Sequence, residues 1–169
     1  MHGGSETTIM ITGDFLGMSL TTDNVRPSAK PNAWRIGKLT AAGVIMGAGE
    51  LIFCTSVLVF GIYRMRFDID SLRTLAFVAI VFGNQATTYT NRERRHLWCS
   101  RPSRWLVASS VADALIASVL AIAGIEMIPL PALVVAGTLI AAAVFAFVLD
   151  MLKVPVLVRL GIVQRVMRL

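Results

Sequence analysis

Four apolar blocks, at about 39–63, 72–91, 104–124 and 132–152, take up most of this chain, and charged clusters bound each of them. A helix needs about 20 residues, at 1.5 Å apiece, to cross a hydrocarbon layer about 30 Å thick, and each block reaches that length. In hydrocarbon, every backbone N–H and C=O must be satisfied within its own segment, so each block is expected to be helical. Val57, Val59, Ile80 and Val81 would favour strand in water, but the bilayer constraint overrides that propensity. A transmembrane barrel is excluded, because the blocks do not alternate with period two and are about twice as long as barrel strands. The expected fold class is all-α, an integral membrane four-helix bundle.

Composition agrees. Of the 169 residues, 56% are hydrophobic and 15% charged, against about 25% charged in soluble domains. The net charge of +6 raises the question of nucleic acid. The basic residues sit at block ends and in loops, which leaves no basic face for a duplex. The expected partner is the lipid bilayer. Cys54 lies inside an apolar block and Cys99 in a basic loop, so both are read as free thiols. With only His2 and His96 there is no histidine-rich metal site, and neither a phosphate-binding G-x-x-x-x-G-K-[ST] loop nor a G-x-S-x-G motif is present.

The stretch before the blocks is different. Residues 1–8 are polar and carry no Lys or Arg, unlike a secretory signal. Residues 9–20 form a short apolar run split by Gly13-Asp14. It reads as an interfacial segment or half a span. The linker that follows holds Pro27 and Pro31, which keep it from being one helix. Three regions result: 1–38 as partial helix and linker, 39–152 as the four-span domain, and 153–169 as a basic tail.

Orientation follows from Lys and Arg. One side collects Arg26, Lys30, Arg35 and Lys38, the loop residues Arg92, Arg94, Arg95, Arg101 and Arg104, and Lys153, Arg159, Arg165 and Arg168 in the tail. The other side has Arg64, Arg66 and Arg73. Both termini and the basic loop are therefore expected in the cytoplasm. The tail fits either a basic amphipathic helix on the anionic inner leaflet or a continuation of the last helix.

Polar groups inside the blocks are the candidate functional residues. Glu50 and Asp113 fall near the middle of the first and third blocks, and Asn84 and Gln85 lie within the second. An acid at a helix centre costs about 2.5–3.5 kcal/mol on insertion scales. Two readings stay open. A protonated acid at that depth could exchange a proton, or the polar groups could form interhelical hydrogen bonds that hold the bundle together. Gly43 and Gly47 make a G-x-x-x-G pattern expected to allow close helix packing, and Ser109, Ser110, Ala112 and Ala117 give the third block a small face.

Three stretches together resemble one family. Gly13-Asp14-Phe15, then Asp23-Asn24-Val25-Arg26-Pro27-Ser28, then Pro31-Asn32-Ala33-Trp34 resemble the end of the sixth membrane helix of P-type ATPases and the loop after it. The plasma-membrane proton pumps are the nearest match. Arg92-Glu93-Arg94 through Arg101-Pro102 is similar to the basic loop between that family's eighth and ninth helices. Leu149-Asp150-Met151-Leu152-Lys153 looks like the L-D-x-x-K late in the tenth.

The resemblance implies that the four blocks are the family's helices seven to ten, preceded by half of the sixth. It implies that Asp14 is the sixth-helix carboxylate that takes part in cation or proton binding, with Gly13 in place of the family's Asn. The 169 residues hold no D-K-T-G-T phosphorylation loop. The chain by itself is then expected to be no enzyme and to hold no cofactor, while a full pump would use ATP and Mg. It would brace the transport helices, alone or beside the remaining part of a split pump. Without the other helices, Asp14 is expected at the cytoplasmic interface, ionised.

An autonomous four-span transporter using Glu50 is the alternative. The small multidrug exporters also carry a glutamate in the first of four spans, but they are shorter and lack such an N-terminal extension. The inside-termini orientation predicts that Cys99 in intact cells reacts with a membrane-impermeant maleimide only after the inner face is opened. Labelling from outside would overturn it.

Overall fold

The computed structural model describes Met18, residues 36–92 and residues 102–159. Asp14, Cys99, the basic loop at 93–101 and the tail beyond Arg159 lie outside the described residues. Within them the chain is all-helical. Helix α1 spans Ile36–Phe60 and runs on into a π-helical turn, Gly61–Met65; α2 spans Ile69–Asn91, α3 Arg104–Ala123 and α4 Ala132–Arg159. Each apolar block is a helix, with starts and ends close to those expected except that α4 runs past the expected 152 to Arg159. Three of the helices are long and apolar enough to cross a membrane, over Gly43–Met65, Arg104–Ala123 and Ala132–Lys153. The second block forms a helix of similar length but is too polar to qualify.

Helix α2 can be more polar because of where it sits. It packs against α1, α3 and α4, and α2 with α4 forms the closest pair, with α1 and α3 flanking. Twelve residues of α2 are buried, from Ser71 to Thr90. Its exposed residues, Ile69 and Asp70 in the first turn and then Arg73, Ile80, Asn84 and Asn91, recur at helical spacing and make one outward stripe. Where a helix faces other helices rather than surroundings, polar side chains can find partners.

The turns between helices have local causes. At the end of α1 the π-turn closes on Arg66, a non-glycine residue with φ 52°, whose N–H donates to the Gly61 carbonyl. Helix α3 ends at Gly124, φ 69°, whose N–H donates to Leu120 O. That left-handed cap suits glycine, and an added Cβ there would also meet Pro129 Cδ at 2.9 Å. The start of α2 is pinned by Ser71 Oγ donating to Asp68 Oδ1 at 2.6 Å. This bond holds the Asp68 carboxyl below its ordinary range. Its contribution is present at neutral pH and is lost as pH falls through that lowered value. Helix α4 passes through Pro155 without ending, so 154–159 continue the last helix.

Two ends of the bundle differ in character. Towards Gly124 the interior is apolar, built from Leu75, Val78, Ala117, Ala121, Leu130 and Val135, with Thr74 Oγ1 donating to Ile128 O at 2.9 Å. Phe53 stacks on Phe145 at 4.8 Å between centroids. Gly83 lets Phe53 approach α2, since a Cβ there would sit 3.2 Å from its Cδ1.

The small-residue expectation needs correction. No described atom lies within 4 Å of a Cβ built on Gly43 or Gly47, whereas one on Gly49 would meet Leu149 Cδ1 at 2.9 Å and one on Gly61 would meet Leu75 Cδ2 at 2.6 Å. The close approaches are made by glycines outside the G-x-x-x-G pattern, because Gly43 and Gly47 stand on an exposed face of α1 while Met46 between them is buried. Gly61→Ala should therefore destabilise by about 1–3 kcal/mol through overpacking, since Leu75 is itself buried. Gly43→Ala and Gly47→Ala should leave thermal unfolding in detergent unchanged, and equal losses at all three sites would refute this packing.

Candidate functional site

Going from the Gly124 end to the Arg104 end, the interior turns polar, and α2 organises it. Gln85 Nε2 donates to Asp113 Oδ2 at 2.6 Å and to the Ser110 carbonyl at 3.2 Å, joining α2 to α3. Thr87 Oγ1 lies 3.1 Å from Glu50 Oε2 and 2.9 Å from Gly83 O, joining α2 to α1. Thr90 Oγ1 donates to Ala86 O at 2.8 Å and reaches Ala146 O of α4 at 3.5 Å. Residues 85 and 87 stand about 200° apart around a helix of 3.6 residues per turn. Their bonds therefore run to opposite sides of α2, and Glu50 and Asp113 are held at different interfaces.

Asp113 is 7% exposed. Its second oxygen, Oδ1, and the hydroxyl of Ser110, one turn away, have no hydrogen-bond partner among the described residues. Glu50 is only half-buried. Asn84, grouped with Gln85 in the sequence, is exposed on the outward stripe of α2. Adjacent positions on a helix differ by about 100°, so the two amides cannot share a site.

The most buried charged groups among the described residues escaped the sequence reading as a site. Lys153 Nζ lies 2.9 Å from Asp150 Oδ1, with side chains 2% and 0% exposed. It also donates to the Thr90 carbonyl at 2.7 Å. Thr90 thus touches α4 through both its hydroxyl and its carbonyl. The spacing Asp-x-x-Lys at the end of an apolar block was visible, and two opposite charges one turn apart on a helix are neighbours. What the sequence does not show is that the pair turns inward onto α2.

Chemically, this arrangement is a set of fastenings. Each of Glu50, Gln85, Asp113, Thr90, Asp150 and Lys153 bonds across or along a helix interface. Among the described residues no cluster of His, Cys, Asp and Glu could hold a metal ion. No family model matches the chain.

The ion pair gives a stability prediction. Removing one partner, as in Lys153→Met, leaves the Asp150 charge buried and should cost about 3–5 kcal/mol. Replacing both, Asp150→Leu with Lys153→Met, should recover most of that loss. A single variant as stable as the parent in chemical unfolding would show that the pair is not buried.

Proposed function

We propose that the chain is the C-terminal membrane portion of a P-type cation-transporting ATPase, similar to the plasma-membrane proton pumps, and that it braces the transport helices. On this reading all four helices cross the plasma membrane, α2 included, and both termini face the cytoplasm. The Arg104 end is the cytoplasmic end. Phosphorylation and nucleotide binding reside outside these 169 residues, so the chain alone neither hydrolyses ATP nor moves ions. Asp14 is the residue proposed to contribute to an ion site when the other pump helices are present.

The observation that carries the bracing role is the use of the intramembrane polar groups. Glu50 and Asp113 are engaged at opposite faces of α2, and the interior towards Gly124 is filled by apolar side chains. A transport path would need polar groups converging on one passage. Here they diverge to three neighbouring helices, as a scaffold requires. The colinear motifs from Asp14 to Lys153 supply the family.

Glu50 keeps a second reading in view, because its half-buried carboxyl is reachable in the way a self-contained proton-coupled exporter would require. Reconstitution separates the two. The purified chain in proteoliposomes should show no vanadate-sensitive ATPase and no pH-driven export of cationic dyes. Co-expression with a polypeptide carrying a D-K-T-G-T loop and the first membrane helices of such a pump should restore ATP hydrolysis. Asp113→Asn should preserve that activity and the fold, since Asn can still accept from Gln85 while placing a donor near Ser110. Dye export by the chain alone, abolished by Glu50→Gln, would overturn the pump assignment.

A further inference from the structure

Asn84 faces outward at mid-height of the bundle. Its neighbour Gln85 is bonded to Asp113, which stands nine residues from the start of α3 at Arg104 and ten from its end at Ala123. At 1.5 Å per residue those distances are about 14 Å and 15 Å, each half of a hydrocarbon core about 30 Å thick. Adjacent residues differ in height by one such step, so Asn84 shares the central level of α3. Its side chain is exposed, and its amide has no hydrogen-bond partner among the described residues. On the membrane reading above, two N–H donors and a carbonyl oxygen then face hydrocarbon unmet. Lipid tails cannot satisfy them, whereas a polar group on another helix can.

We propose that a second copy of this chain covers the outward stripe of α2, with Asn84 bonded to its own counterpart across a twofold axis normal to the membrane. The inference rests on the membrane reading and goes beyond the bracing role. Copies of one chain insert the same way round, because the same Lys and Arg distribution orients each of them. A twofold axis along the membrane normal then sets each residue beside it opposite itself, at equal depth. The stripe fits that rule. An amide carries both donor and acceptor, so two copies of Asn84 satisfy each other. Ile80, one turn away and exposed, meets its counterpart as an apolar contact. Arg73 would bring like charges together, but Asp70 Oδ1 already pairs with it at 2.8 Å. A single enclosed Asn between packed helices is a device that fixes register and copy number.

Energy transfer between donor- and acceptor-labelled full chains in proteoliposomes, diluted with added lipid, measures the association. The parent should form dimers. Asn84→Leu should weaken them about 3- to 30-fold, the range for hydrogen bonds between membrane helices, and Asn84→Gln should keep most of the affinity. Because Asn84 is exposed, the leucine variant should keep the monomer's fold, which circular dichroism checks. In a chain with Cys54→Ser and Cys99→Ser, Ile80→Cys should give a disulfide-linked dimer under a lipid-soluble oxidant. Leu115→Cys, exposed on α3, should not. A monomeric parent, association unchanged in Asn84→Leu, or equal cross-linking at Leu115 would overturn the proposal. A monomeric parent that co-purifies through Asn84 with a polypeptide carrying the first pump helices would give the face to that partner instead. Alkaline carbonate reads insertion separately. Release into the wash would overturn the membrane reading and the dimer with it, whereas an inserted monomer overturns the dimer alone.

Discussion

The polar side chains that α2 buries in its second half find partners on neighbouring helices, and this requirement fixes how the other three stand around it. An unpaired amide or hydroxyl in an apolar interior costs about 1–3 kcal/mol on protein scales, and an unpaired charge far more. Gln85, Thr87 and Thr90 meet that demand in three directions, towards α3, α1 and α4. Apolar contacts alone would tolerate rotation of α2 about its axis. These bonds do not, because any turn of the helix would break all three at once.

The two halves of the interior divide the work. Towards Gly124, shape decides: Gly61 admits Leu75, and Gly83 admits Phe53. Towards Arg104, hydrogen bonds and the Asp150–Lys153 pair decide. Breaking such a pair is costly, yet replacing it with well-packed apolar residues is often neutral or stabilising. Its value here is therefore better sought in register. Lys153 binds the Thr90 carbonyl, which sets how far α4 slides along α2. Asp113 and Ser110 are exceptions, with Oδ1 and Oγ unmatched among the described residues, and they mark a place where the fastening is incomplete.

On the proposed reading, this construction suits a static role beside moving helices. Most of its interior polar groups are bonded to one another, with Asp113 Oδ1 and Ser110 Oγ unmatched among the described residues. The outer surfaces of α1, α3 and α4 remain apolar, with Leu51, Leu115, Leu133 and Ile140 among the exposed residues, as lipid or further helices would require.

The number, length and helical state of the four blocks were legible in the sequence, because hydrocarbon allows backbone polar groups no other solution. So was Asp113 among the buried polar residues, since an acid in an apolar block is conspicuous, whereas Thr87, Thr90 and the Asp150–Lys153 pair were not singled out as site residues. The direction each one faces was not legible. Asn84 and Gln85 are neighbours in the chain, yet one is exposed and the other bonds to Asp113. Gly43 and Gly47 carry the familiar packing pattern, while the close contacts fall to Gly49 and Gly61. In blocks that are apolar nearly all round, hydrophobic periodicity does not reveal which face turns inward. Only the packed bundle settles that, by bringing each polar group on α2 against the one neighbour able to satisfy it.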